Sequence, residues 1–433
     1  MEEEKALVDR VLIELSQIIE SEPNLNEFAI IPVMNNEKNT SPLVYENNSI
    51  GLEMWAVKYI IIHTKVYLMK MRNLIKKNLS DSEVQKVKRS LLGAVLVQPE
   101  VTTYWNMRKE LLERGYLSAN SELYFTKLVL SYKNKCNEAF TQRRWIFKKA
   151  MEDNTLLVAN AFLNYEHSHL LLNNELKVAE MTSLTTKNNY HAWAHRIWSL
   201  QNIKGLSKQS FSVILASQYE SSYDWLFGNV SEHSAFQYRQ KLMTFLIKNR
   251  EKMNNFFVTY EQFTVDHLKL NNDLNSLFIN NKKNNFEDFK CLFSLLIYEL
   301  FHTVKELNKS YPGHESIWYH RRFIIKTLFD EIFNFKSKNR LRINDTNLSK
   351  SECLISRDLN ELLCMDNIII NFKLFKPEFR DAESIMCFNK IVKDETELIK
   401  TSQSLKYDPV QRYLADKYEK WLMCVLQVDL LEE

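Results

Sequence analysis

The chain has 433 residues, a formal net charge of +3, 45% hydrophobic and 26% charged residues, values typical of a folded protein rather than a disordered one. The small net charge, without a compact Lys/Arg block, gives no indication of a large nucleic-acid or membrane-binding surface. The 6 glycines never fall close together, which excludes a P-loop, a dinucleotide-binding turn and a nucleophile elbow.

The first fifty residues are predicted to form an N-terminal helix followed by an extended or irregular segment over residues 21–50. The chain starts with three glutamates and continues as an amphipathic pattern, whereas a secretory signal starts basic and is uniformly apolar. No apolar stretch is long enough to span a membrane, and the six cysteines form no C-x-x-C pair. These features predict a cytoplasmic protein with reduced thiols.

Residues 51–433 are predicted to be one helical-repeat region. No proline occurs between Pro99 and Pro312, so the main helix breaker is missing from the centre of the chain. One motif recurs there, an aromatic residue followed three positions later by arginine. Its five copies are Trp105 and Arg108, Phe140 and Arg143, Trp193 and Arg196, Phe236 and Arg239, and Trp318 and Arg321.

The three-residue separation places the ring and the guanidinium on one helix face, where the ring fills a core and the arginine reaches a carboxylate or carbonyl. Glu122, Glu175 and Glu299 precede Phe140, Trp193 and Trp318 by eighteen, eighteen and nineteen residues, within apolar helical patterns. Polar breaks separate the paired helices, and Asn189 and Ser231 are predicted N-caps. The breaks are Lys133–Asn137, Lys187–Asn189, Gly228–Ser231 and Lys309–Gly313. Each unit is therefore a helical hairpin.

Stacked hairpins bury the apolar faces that one hairpin leaves exposed, which predicts an all-α fold, a right-handed superhelical solenoid. The uneven spacing of the copies predicts polar surface insertions near residues 151–174, 249–285 and 336–350. Five equivalent phosphate sites would be unusual, so the recurring arginines and aromatics are assigned to the scaffold.

The third copy, from Asn189 to Arg196 with Trp198 after it, closely resembles the repeat that defines protein prenyltransferase alpha subunits. The other copies are similar, with phenylalanine at 140 and 236, and residues 407–413 are similar to a segment before the family's final helix. The resemblance spans about residues 87–421. Residues 232–240 and 311–322 resemble the branch that supplies the alpha component of the type III geranylgeranyltransferase.

This resemblance implies an alpha subunit that wraps around a beta subunit, expected to be of the Rab geranylgeranyltransferase type. The heterodimer would transfer an isoprenoid from prenyl diphosphate, bound at the subunit interface, to C-terminal cysteines of substrate proteins, including proteins already prenylated. Zinc and the main catalytic site would belong to the beta subunit. The isolated chain is then expected to be inactive and to hold no metal or cofactor.

The resemblance also implies three site residues on this chain. The family's lysine five positions before the second anchor corresponds to Lys135, and the Tyr-His pair before the third anchor corresponds to Tyr190 and His191. A lysine ammonium there stabilises charge on the departing diphosphate. Asn137 stands where the family has a tyrosine. Without the resemblance, Lys135 would be interpreted as a solvated loop lysine and His191 as a helix residue that faces solvent.

Two alternatives remain beside this interpretation. His191 and His195 share a helix face at i,i+4, as a metal pair would, but the sequence has no H-E-x-x-H motif and no recognisable third ligand. A tetratricopeptide-like adaptor without enzymatic activity also fits a helical-repeat scaffold. It has no reason to carry Lys135 together with Tyr190 and His191. An RNA-binding repeat is disfavoured because no base-reading code is visible.

Overall fold

The structure, a computed structural model, describes residues 2–35, 41–77, 79–152, 165–202, 206–253, 256–268, 286–328, 368–369, 382–422 and 429–430. Helices dominate these ranges, which confirms the predicted all-α class. In this part of the chain no helix combines the length and the apolarity that crossing a bilayer requires. The protein divides into two compact units, Met1–Ser207 and Lys208–Glu433, so the predicted division at residue 50 falls inside the first unit.

The first unit begins with a helix and a small mixed sheet and continues as stacked hairpins. In the sheet, β1 pairs parallel with β3, and β2 pairs antiparallel with β3. Three hairpins follow, α3 with α4, α5 with α6 and α7 with α8. The elements are α1 (Glu2–Ser21), β1 (Glu27–Ile31), β2 (Leu43–Glu46), β3 (Ser49–Glu53), α2 (Met54–Met71), α3 (Asp81–Val97), α4 (Thr102–Glu113), α5 (Ala119–Tyr132), α6 (Asn137–Glu152), α7 (Tyr165–Thr185) and α8 (Tyr190–Asn202).

The three strands begin within residues 21–50, the segment predicted to be extended or irregular, and give it a regular structure. Asn47 and Asn48 join β2 to β3 with φ angles of +49° and +59°. Asparagine tolerates this left-handed conformation, and two such residues make a tight turn that suits a β-hairpin. Ile50 and Leu52 on β3 then point into the core, both at most 1% exposed. The Asn-Asn pair between two short apolar runs was the overlooked signal.

Hydrogen bonds attach this N-terminal segment to α5. The Tyr124 hydroxyl donates to the Glu22 carbonyl at 2.6 Å and accepts from the Leu25 amide at 2.9 Å. The Phe28 amide donates to Ser131 Oγ at 3.1 Å. The sheet is therefore part of the core of the first unit.

The described residues of the second unit form three further hairpins, α9 with α10, α12 and α13 with α14, and α15 with α16. An additional helix, α11, packs against α12. The elements are α9 (Lys208–Gly228), α10 (His233–Lys248), a short 3₁₀ turn (Arg250–Lys252), α11 (Val258–Leu268), α12 (Phe286–Tyr298), a π-helical turn (Glu299–Val304), α13 (Lys305–Ser310), α14 (Glu315–Thr327), β4 (Ile368–Ile369), α15 (Ala382–Ser404), α16 (Pro409–Trp421) and β5 (Asp429–Leu430).

Two of the predicted insertions are partly wrong. The range 249–285 contains α11, whose Tyr260 and Leu268 are buried, and the Tyr260 ring packs edge-on against Tyr298 at 4.8 Å between centroids. The range 151–174 runs into α7, where Leu172 is buried. Around α11 the apolar helical pattern is hidden by the surrounding Asn and Lys residues. Residues 153–164 and 269–285 of these two ranges, and the whole range 336–350, lie outside the described residues.

The capping predictions have different outcomes. Asn189 caps α8, since its side-chain oxygen accepts from the Ala192 amide at 3.2 Å. Ser231 does not cap α10, because Glu232 occupies the N-cap position and the Ser231 hydroxyl instead hydrogen-bonds His314 Nδ1 at 3.0 Å. That hydroxyl links two hairpins of the second unit.

The π-helical turn explains why one glutamate lies farther from the anchor that follows it than the other two glutamates do. Glu299 lies nineteen residues before Trp318, one more than the separation of Glu175 from Trp193. A π turn closes i→i+5 hydrogen bonds and so takes up an additional residue within a helix. Glu299 thereby keeps its buried position, with 0% of its surface exposed.

Candidate functional site

Four of the recurring arginines form buried ion pairs between successive hairpins. Arg108 donates from Nε and Nη2 to the two carboxylate oxygens of Glu122, at 2.8 and 2.7 Å, and Glu122 belongs to the following hairpin. The same arrangement joins Arg143 with Glu175, Arg239 with Glu299, and Arg321 with Glu395. Bidentate geometry makes each pair directional. These four arginines therefore hold neighbouring hairpins together and are not free to bind a phosphate.

A further side chain completes each cluster, and in three of the four clusters it lies two positions after an anchor. His195 Nε2 lies 2.8 Å from Glu175 and His320 Nε2 lies 2.8 Å from Glu299. Gln142 donates to Glu122 at 3.2 Å, and the Tyr418 hydroxyl donates to Glu395 at 2.7 Å. His195 is thus fully buried on a carboxylate that Arg143 already neutralises, which is a structural role. Sequence reasoning missed this second partner of each glutamate.

Glu175 keeps its negative charge at neutral pH. Burial by itself would raise the pKa of Glu175, but the charge of Arg143 and the hydrogen bond from His195 outweigh it and lower the pKa to about 2.

The aromatic anchors around the ion pairs are closed to solvent. Trp105, Phe140, Trp193, Phe236 and Trp318 are each at most 3% exposed, and Arg196, 9% exposed, lies with its guanidinium 5.3 Å from the Trp193 ring.

Lys135, Tyr190 and His191 lie at one edge of the first unit, on neighbouring hairpins. Lys135 is exposed in the loop between α5 and α6. Tyr190 and His191 are the first residues of α8, and Tyr190 is 59% exposed. The rings of Tyr190 and His191 are 3.9 Å apart between centroids. Asn137, at the start of α6, is exposed as well.

Two asparagines fix the loops that carry these residues. Asn189 Nδ2 donates to the Asn134 carbonyl at 2.7 Å, and Thr186 Oγ1 donates to Asn134 Oδ1 at 3.0 Å. Asn134 Nδ2 in turn donates to the Leu130 carbonyl at 2.8 Å. Asn134 immediately precedes Lys135 and Asn189 immediately precedes Tyr190, so the hydrogen bonds hold the two loops in a fixed relation. Sequence reasoning identified Asn189 only as a cap.

Beyond the effect of burial, Arg144 in addition to Lys135 lowers the pKa of His191. Burial lowers the pKa of His191, the charges of Arg144 and Lys135 lower it further, and Glu138 opposes them. Arg144 is half-buried and donates to Thr141 Oγ1 at 3.0 Å. Arg144 follows Arg143, which is the arginine of the repeat. The pair of adjacent arginines was a signal of an additional cation that the sequence analysis missed. His191 is neutral near pH 7 and can exchange hydrogen bonds without a full charge.

The cations around His191 make a testable prediction about its titration. Arg144→Gln should raise the pKa of His191, because removal of a positive neighbour favours the imidazolium. Glu138→Gln should lower that pKa, because it removes the opposing negative charge. Following the His191 Cε1–H resonance against pH by NMR measures both shifts. If the pKa of His191 shifted in the same direction in both variants, this placement of charges would be contradicted.

The residue types at this edge are those that bind phosphate oxygens in proteins. An ammonium, a guanidinium, a neutral imidazole and a phenol are present along one fixed edge, and charge-assisted hydrogen bonds to oxyanions are the strong ones. Within the described ranges, no three His, Cys, Asp or Glu side chains are grouped as metal ligands.

Comparison with known proteins agrees with the repeat. The family described as protein prenyltransferase alpha subunit repeat matches residues 172–203 and 297–328, within the third and fifth hairpins. Protein prenyltransferase alpha subunit repeat-containing protein 1 of Danio rerio is 32% identical over 333 residues, 75% of this chain and 73% of the relative. The Homo sapiens protein of that name is 31% identical over 330 residues, 75% and 78% of the two chains. The chain therefore belongs to the protein prenyltransferase alpha subunit repeat family.

Proposed function

We propose that this chain is the alpha subunit of a heterodimeric protein geranylgeranyltransferase. The observation that carries the proposal is the fixed placement of Lys135 beside the loop of Tyr190 and His191, through the Asn189 to Asn134 hydrogen bond of 2.7 Å. Membership in the prenyltransferase alpha subunit repeat family supports it. The heterodimer would transfer an isoprenoid from prenyl diphosphate to C-terminal cysteines of substrate proteins, including proteins that already carry one prenyl group.

In this proposal the beta subunit, of the Rab geranylgeranyltransferase type, would hold the zinc ion, which would stabilise the substrate cysteine as a thiolate. This chain acts on the leaving group. As the bond between the prenyl carbon and the bridging oxygen breaks, negative charge grows on the diphosphate, and the Lys135 ammonium stabilises it. Neutral His191 and the exposed phenol of Tyr190 contribute hydrogen bonds. Because Asn137 is too short to pack along an isoprenoid, the contribution of this edge is electrostatic.

Replacement of Lys135 tests the proposal. In the heterodimer reconstituted with a Rab-type beta subunit, Lys135→Ala should lower the single-turnover rate of prenyl transfer by about tenfold to a thousandfold, as expected for one preorganised donor. Assembly and prenyl-diphosphate affinity should change much less, because the ammonium acts mainly in the transition state. His191→Ala should have a smaller effect, since a neutral imidazole contributes no full charge.

The matched control is Lys309→Ala, which removes an exposed lysine beside the corresponding break of the fifth hairpin. Its transfer rate should equal that of the unmodified heterodimer. Absence of transfer with beta subunits that bind the chain would refute the enzymatic role and favour the adaptor. If the wild-type heterodimer is active and Lys135→Ala has the same transfer rate, Lys135 does not act in the reaction and the chain serves only as a scaffold.

A further inference from the structure

A groove of about 500 Å³ lies between α5 and α7 of the first unit, on the first helices of two neighbouring hairpins. Its volume is within the range of about 300–1,000 Å³ that ligand sites occupy. The Arg143–Glu175 ion pair lies at its base. Apolar side chains cover most of the remaining surface, namely Leu123, Tyr124, Leu171, Val178 and Met181.

Unpaired polar groups stand on both walls of this groove. Asn120 on α5 and Asn174 on α7 are exposed, and neither carboxamide has a hydrogen-bond partner among the described residues. Lys127 on α5 and Lys177 on α7 also line it, and neither forms an ion pair in the described part of the chain. Since Arg143 neutralises Glu175, the two lysines give the groove a net positive charge.

We infer that this groove binds an acidic and apolar peptide segment of a partner protein. Apolar side chains of the peptide would pack against Leu123, Val178 and Met181. Carboxamides can both donate to and accept from a peptide backbone, so Asn120 and Asn174 would bind its main chain from opposite walls. Carboxylates of the peptide would pair with Lys127 and Lys177, and like charges would be rejected.

The groove is separate from the edge that carries Lys135. Its α5 residues run from Asn120 to Lys127, in the first part of the helix, while Lys135 follows the other end. The eight residues from Lys127 to Lys135 cover roughly 12 Å if they advance at the rise of an α-helix. Peptide binding therefore does not depend on the proposed transferase activity and can be measured on the isolated chain.

A fluorescein-labelled, end-capped decapeptide of alternating Asp and Leu is the probe, and a decapeptide of alternating Lys and Leu is its counterpart. Fluorescence anisotropy should show binding of the acidic peptide that weakens with added salt, because exposed charges are screened. Lys127→Glu and Lys177→Glu should each weaken it about tenfold. Lys70→Glu, at an exposed lysine of α2, should leave it unchanged.

Asn120→Asp gives a variant that keeps its fold. Aspartate in the first turn of α5 favours the helix, yet it adds a negative charge to the groove wall and should weaken the acidic peptide. Circular dichroism verifies the helix content. Equal affinity for the acidic and basic peptides, or equal loss with Lys70→Glu, would overturn the inference. Tighter binding of a labelled single-stranded RNA, lost in the same lysine variants, would also overturn it.

Discussion

Glu299→Ala is expected to lower the free energy of unfolding of the second unit by about 3–5 kcal/mol, the usual effect of breaking one side of a buried ion pair. The carboxylate is fully buried and accepts from Arg239 Nε at 2.6 Å, from the Tyr219 hydroxyl at 2.7 Å and from His320 at 2.8 Å. Alanine would leave a buried guanidinium without its counter-charge. Urea unfolding followed by circular dichroism measures the loss.

A matched control for this prediction is Glu315→Gln, which removes an exposed glutamate from the same unit and should change stability by less than about 0.5 kcal/mol. The double variant Glu299→Leu with Arg239→Met should recover much of the loss, because apolar residues often replace a buried ion pair without cost. Wild-type stability of Glu299→Ala would show that the pair contributes nothing. No recovery in the double variant would point to packing instead of charge.

The sign of the pH dependence follows from the same contacts. Burial by itself would raise the pKa of Glu299, but the charge of Arg239 and the hydrogen bond from His320 outweigh it and lower that pKa. The resulting stabilisation is present above the pKa of an unfolded glutamate and is lost as the pH falls towards the lowered value. Acid destabilisation should therefore be smaller in Glu299→Ala than in the wild type.

Trp193→Ala is expected to cost about 3–5 kcal/mol in the first unit, because removal of a large buried ring leaves a cavity that the surroundings fill only in part. The Trp193 side chain is 3% exposed and lies beside the Arg196 guanidinium. Thermal and urea unfolding of the purified variant give the measurement. A wild-type melting curve would contradict the assignment of this ring to the core.

The repeat itself supplies the control for Trp193. Phe140 and Phe236 occupy the same position in other hairpins and are buried there, at 0% and 2% exposure. Trp193→Phe should therefore cost clearly less than Trp193→Ala. Equal losses in the two variants would mean that the indole makes a contact specific to this hairpin, and that the repeat positions are not equivalent.

The hairpins were readable from the sequence because their signals are local. An aromatic residue and an arginine three positions apart mark one helix face, and polar breaks such as Lys133–Asn137 coincide with the loops between helices. Composition misled the prediction elsewhere. The polarity around residues 249–285 concealed α11, and the short strands near Asn47 lacked a long periodic pattern.

The site was predicted on a different basis. Lys135, Tyr190 and His191 came from resemblance to the prenyltransferase alpha subunits, since a lone loop lysine carries no chemical signal. The repeat spacing singled out Arg143, but it did not show what Arg144 contacts, because the side chain of the next residue leaves that helix face and its neighbours depend on packing. The structure distinguishes them, with Arg143 buried on Glu175 and Arg144 half-buried near His191.

The sequence by itself determined the helical hairpin, its aromatic anchor and the need of each arginine for a polar partner, because these depend on the period of one helix. Only the tertiary structure decided that Arg108 pairs with Glu122 of the next hairpin, and that Asn134 and Asn189 join the loops beside Lys135 and Tyr190. Such pairs depend on how separate helices are stacked, and stacking is set by the fit of whole buried faces, which no local period encodes.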